Sequence, residues 1–228
     1  MKTKPVPLFL VFLAAALAVS CSDFFTHSLG EWAQRDPDSL IPPVTTGNVN
    51  DLIALAENDP RLSLALLKKI ASSGDASDPS MRAAALQAAA NASGLGAAIL
   101  QNAGDINDLD EDEAREVVAK VVNGLANLET VSALLTGMLP DKTTDPAGWD
   151  NFVAASDPGD LAMTAAILLA AEAKKSGNPS DYFNTFDKTD AASTNNGTEK
   201  LAVALAGKAA ENSGSDFLGD MLTGLGLI

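Results

Sequence analysis

Residues 157–179 read DPGDLAMTAAILLAAEAKKSGNP, and this stretch decides the fold class. Asp157 and Pro158 form a helix start. The aspartate accepts hydrogen bonds from the free N–H groups of a first turn, and proline is preset for the first helical position. From Leu161 to Ala171 the chain is apolar nearly all round. A helix of that kind belongs among other helices, so it is predicted to be central. Gly177 follows the last periodic residue, where a left-handed residue closes a helix, and Asn178-Pro179 opens the next one.

The same punctuation recurs on both sides. Asp59-Pro60, Asp78-Pro79 and Asp145-Pro146 also precede apolar stretches, and Gly74, Gly94 and Gly214 also follow periodic runs. Val117, Val118, Val121, Val122 and Leu125 line one helical stripe, and Val131, Leu134, Leu135 and Met138 line the next. A short turn near Asn127 predicts that these two helices form an antiparallel hairpin. Phe217, Leu218, Met221, Leu222 and Leu225 make a third stripe. No stretch shows the strict alternation of a half-buried strand.

The expectation is an all-α protein of about ten helices, over 48–58, 60–72, 79–93, 95–103, 110–126, 128–139, 146–155, 158–176, 179–187 and 198–226. Successive pairs predict stacked αα-hairpins, either as a tetratricopeptide-like array or as an irregular bundle. Spacings of 19, 67 and 12 residues between the Asp-Pro starts give no sequence repeat. The Trp, Leu-Gly and Tyr pattern of tetratricopeptide units is absent. The longest polar breaks are 140–145 (PDKTTD) and 187–197 (DKTDAASTNNG), the second a candidate boundary of a small C-terminal subdomain.

The N-terminal segment has a different organisation. Lys2 and Lys4 precede an uncharged apolar run, Val6 to Val19, which closes on Leu17-Ala18-Val19-Ser20-Cys21. That layout is a secretory signal, and the run is shorter than the ~20 apolar residues of a transmembrane helix. LAVSC resembles a bacterial lipobox, and the following CSDFF is similar to the start of spirochaete lipoproteins. The resemblance covers residues 1–21. Ala18 stands where leucine is commoner. It implies cleavage before Cys21, diacylglycerol on the Cys21 thiol and acylation of its new amino group. Cys21 is the only cysteine, so no internal disulfide is open to it. By this reading residues 1–20 are the signal peptide, 21–47 a lipidated tether containing Pro37, Pro42 and Pro43, and 48–228 the helical domain. Ser22 is compatible with sorting to the outer membrane, which is favoured over the inner one.

Removing Lys2 and Lys4 leaves 13 basic against 30 acidic residues, a formal charge of −17. Such a surface repels phosphate backbones, so nucleic acid is not an expected partner. Only 11 residues are aromatic, and alanine supplies much of the apolar fraction, so the core should pack helices closely through small side chains.

Chemistry-bearing patterns are sparse. His27 is the only histidine, which argues against multi-histidine metal sites and Ser-His-Asp triads. No phosphate-binding loop is present, and no cofactor is expected. In the acidic run 105–116, Asp105, Asn107 and Glu116 occupy the first, third and twelfth positions of a calcium-binding loop. Leu109 and Asp110 break the pattern at the fifth and sixth. A helix start with carboxylates near the positive end of its dipole explains the run better. Trp149, Tyr182, Phe183 and Phe186 are the aromatic clusters beyond the tether, and would wall a ligand pocket if one exists. No catalytic residues are assigned, and a non-enzymatic role is expected. The leading expectation is an envelope scaffold, anchored by lipid, that binds protein or peptide partners. A small-ligand-binding or transporter-accessory lipoprotein is the alternative, and a carboxylate-dependent hydrolase ranks third.

Overall fold

The five Asp-Pro and Asn-Pro pairs named above begin helices in the computed structural model, which describes residues 36–98, 101, 111–193 and 196–212, and a sixth pair, Asp36-Pro37, opens a single turn. The chain divides into two units, Met1–Leu40 and Ile41–Ile228. The described part of the first is one helical turn, Pro37–Leu40, in which the Asp36 carboxylate accepts the Asp38 N–H at 3.1 Å.

In the second unit, α1 spans Val49–Ala56, α2 Pro60–Ala71, α3 Pro79–Ser93, α4 Glu111–Gly124 and α5 Leu128–Met138. It continues with α6 over Pro146–Ala155, α7 over Pro158–Lys175, α8 over Pro179–Thr185, α9 over Lys188–Ser193 and α10 over Gly197–Asn212. Residues 95–98 and 101 are helical as well. The protein is all-α, with no strand among the described residues.

The caps work as their chemistry demands. Asp59 accepts from the N–H groups of Arg61 and Leu62, at 2.9 and 3.3 Å. Asp78 accepts from Ser80, Asp145 from Gly148 and Asp157 from Gly159, at 2.8, 3.0 and 2.7 Å. Asn178 accepts from Asp181 at 3.4 Å. Two of the predicted glycine stops are left-handed, Gly94 at φ 68° and Gly177 at φ 80°. Gly74 is not among the positive-φ glycines, because α2 stops earlier, at Ser72, whose N–H still bonds the Lys68 carbonyl. Gly214 and the stripe from Phe217 to Leu225 lie outside the described residues.

Helix α7 is the hub. It packs against α3, α4, α5, α8 and α10, and eleven of its residues are buried, Leu161, Ile167, Leu168 and Leu169 among them. Alanines make this crowding feasible. Ala162, Ala165, Ala166, Ala170, Ala171 and Ala173 on α7, and Ala202, Ala206 and Ala209 on α10, are all buried. A side chain of one carbon lets helix axes approach, and the large residues interleave between them. Of the two arrangements expected, the irregular bundle describes the molecule. In a solenoid each unit touches only its neighbours, whereas here α7 meets helices as far apart in the chain as α3 and α10.

Three local expectations differ from what the structure shows. The hairpin at Asn127 is not made: α4 packs mainly on α7 and α8, α5 mainly on α2, α3 and α7. The Asn127 side chain donates instead to the Ala92 carbonyl at 3.1 Å. The helical body begins at Ile41, before the expected start at Asn48. Ile41 and Val44 are buried, Lys69 donates to the Ile41 carbonyl at 2.5 Å, and Ser73 to the Val44 carbonyl at 3.2 Å. Asn48 closes the segment by accepting from Thr45 and donating to the Pro43 carbonyl. The polar break 187–197 contains α9, capped by Asp187 and packed on α10 through buried Ala191.

Candidate functional site

The residues singled out in the sequence fall in three places. Cys21, His27, Asp105 and Asn107 lie outside the described residues. Glu116 is on α4 and exposed to solvent. Among the described residues no group of three or more His, Cys, Asp or Glu side chains could hold a metal ion.

Tyr182, Phe183 and Phe186 cluster on or just past α8. The Tyr182 ring meets Phe183 edge-on at 5.8 Å and Phe186 at 5.7 Å, and Phe183 is buried. The Tyr182 hydroxyl donates to Glu199 at 2.8 Å across to α10. Burial and the carboxylates of Glu199 and Glu172 hold that hydroxyl protonated far above the ordinary tyrosine range. Glu172 on α7 accepts from Asn196 at 2.8 Å and pairs with Lys175 at 3.6 Å. Asn196 in turn accepts the Thr198 N–H that starts α10. Both carboxylates here are engaged in holding α10 to α7 and α8. The cluster is a joint.

Trp149 stands apart from it. The ring lies in the second turn of α6, 1 % exposed, edge-on to Phe152 at 6.0 Å. Its indole Nε1 has no hydrogen-bond partner among the described residues. Trp149 also lines a cleft of about 490 Å³, to which Tyr182, Phe183 and Phe186 do not contribute. One wall is the end of α5, Thr136 and Leu139, followed by the turn Pro140–Thr143. That turn is shaped by Asp141, whose carboxylate accepts the N–H groups of Thr143 and Thr144 at 2.7 and 2.9 Å. These bonds hold the Asp141 carboxyl below its usual range.

The opposite wall is one face of α10. Lys200, Leu201, Ala204, Lys208 and Glu211 follow at helical spacing. Lys208 and Glu211 form an ion pair at 2.5 Å, which raises the lysine and lowers the glutamate from their ordinary values. Among the lining residues Trp149 and Leu139 are buried, whereas Asp141, Lys142, Lys200 and Glu211 are exposed. Such a site can take an apolar group and hold a polar one at its mouth.

Sequence reasoning singled out Trp149 but missed Lys142, Lys200 and Lys208. The signal available was weak: two lysines eight apart on one face of a helix, and one in a polar turn. Their convergence is tertiary. No single helix among the described residues is long and apolar enough to cross a membrane, and the chain bends by 118° between α6 and α7. No protein family, curated protein or solved structure matches this chain.

Proposed function

We propose that this is a bacterial envelope lipoprotein, attached through Cys21, whose helical body holds a protein or peptide partner in the cleft floored by Trp149. The observation that carries the binding role is that cleft, which is open to solvent and lined both by apolar side chains, the buried Trp149 and Leu139 among them, and by the exposed Asp141, Lys142, Lys200 and Glu211. The LAVSC sequence supports the attachment. One acyl chain binds a bilayer only marginally, and two or three on a single cysteine anchor it firmly. The outer membrane is the favoured location, since Ser22 rather than aspartate follows the lipid site. A small-ligand or transporter-accessory role is the second reading. It is favoured by the cleft volume, which falls in the range of small-molecule sites.

Cross-linking in intact cells tests the role. A photoreactive residue at Val203, on the cleft, should capture the same protein repeatedly. The same residue at Leu55, which is 66 % exposed on α1, should not. Recovery of this chain alone from both positions would overturn the partner-binding proposal.

A further inference from the structure

Helix α10 has one apolar face that is only half covered. Ala202, Leu205, Ala206 and Ala209 are buried, and the main neighbour of the helix is α7. Leu201, Val203, Ala204 and Gly207 are half-buried, and all four line the cleft. A side chain at Gly207 would meet nothing within 4 Å, so the wall there is open.

The cleft runs along α10 almost to its end. Lys200 and Glu211 both line it, about 16 Å apart at a helical rise of about 1.5 Å per residue. The helix stops one residue later, at Asn212. Ser213-Gly214-Ser215-Asp216 follow, the length and composition of a link between two helices. Next comes the stripe Phe217, Leu218, Met221, Leu222 and Leu225, outside the described residues, with the spacing of one helical face. As a helix the stripe would extend about 12 Å, within the length of the wall. Five large apolar side chains on one face need a cover. A helix joined to α10 by four residues folds back beside it, antiparallel.

We propose that residues 217–225 dock as a helix in the cleft of their own chain, laying their apolar stripe against Leu201, Val203, Ala204 and Leu139. A link of four residues gives the segment an effective concentration of about millimolar, so it occupies its own cleft ahead of a second copy. The inference rests on the same cleft as the partner reading and adds its regulation. A partner enters by displacing the segment, and the chemistry that displaces it is another amphipathic helix with the same apolar spacing.

The purified full chain, in non-ionic detergent and free of other proteins, tests the docking without any partner. A photoreactive residue at Leu222 should link within one molecule to residues 136–143 or 201–208, with a yield that dilution does not change. Links formed only between two molecules, or only to other parts of the chain, overturn the proposal. Phe217→Asp/Leu222→Asp probes the same contact without a label. Amide hydrogen exchange at Leu201–Ala204 should become about ten-fold faster in that chain, because burial of one large apolar side chain is worth at least that factor. Exchange in α2, which does not line the cleft, should stay the same. Where no link forms, exchange decides, and unchanged exchange at Leu201–Ala204 overturns the proposal. Each of these failures leaves capture of a partner through Val203 in cells untouched. Docking found here with no partner captured there would overturn the partner reading and leave this one standing.

Discussion

Leu168→Ala should be among the most damaging single substitutions in the protein. Leu168 is fully buried on α7, the helix that meets five others. Truncation to alanine removes three carbons, worth about 0.8 kcal/mol each, or roughly 2.4 kcal/mol of lost burial. Neighbours on all sides of α7 cannot collapse far into the gap, and the residual cavity raises the cost to about 3–5 kcal/mol. Typical domains have about 5–15 kcal/mol in all, so roughly a fifth or more of the stability would go. The assay is urea unfolding followed by circular dichroism at 222 nm, with the same slope expected for both chains. Leu55→Ala is the control, since that side chain is 66 % exposed and should cost less than about 0.5 kcal/mol. If Leu168→Ala costs under about 1 kcal/mol, or no more than Leu55→Ala, then α7 is not the packed centre of the bundle.

Removing a cap should have a smaller, local effect. Asp59→Ala and Asp157→Ala each leave first-turn N–H groups without an acceptor, for about 0.5–2 kcal/mol by urea unfolding. Tyr182→Phe deletes the bond to Glu199 that ties α8 to α10, and should cost about 1.5–3 kcal/mol, while Phe183→Tyr in the same chain should not restore it. Asp160→Asn tests burial. The Asp160 carboxyl is raised above 3.8, mainly by desolvation, and accepts from Gln87 at 3.0 Å. Its favourable contribution is therefore complete below 3.8, where it is protonated folded or unfolded, and is lost as pH rises through the higher folded value. The asparagine chain, which keeps the Gln87 acceptor, should be the more stable at pH 7, and the difference should vanish in acid below 3.8. An unchanged difference across that range would contradict the assignment.

What was legible in the sequence was local chemistry. An Asp or Asn followed by proline states its own hydrogen bonds within three residues, so five of the six starts were readable, while Asp36-Pro37, which opens the turn Pro37–Leu40, falls in the expected tether. The same holds for Gly94 and Gly177, and for α7, whose apolar character on every side can only mean burial. What escaped was set by distant partners. The segment 41–47 contains two prolines and little periodicity, yet it is pinned by Lys69 and Ser73, 28 and 29 residues away. Helix α9 is six residues long, too short to be stable alone, and exists because α10 covers it. The cleft follows the same rule. Trp149 was visible as an aromatic anchor, but Lys142 and Lys200 reach it from separate elements 58 residues apart, and no window of sequence joins them.

Processing at Cys21 is tested most directly by mass spectrometry of the membrane-bound protein from its own cells. The expected N-terminal peptide begins at Cys21 and carries diacylglycerol on sulfur, and a Cys21→Ala chain should leave the membrane fraction or stay unprocessed. Peptides from residues 1–20 in the mature protein, or membrane association unchanged by the substitution, would contradict the anchored state.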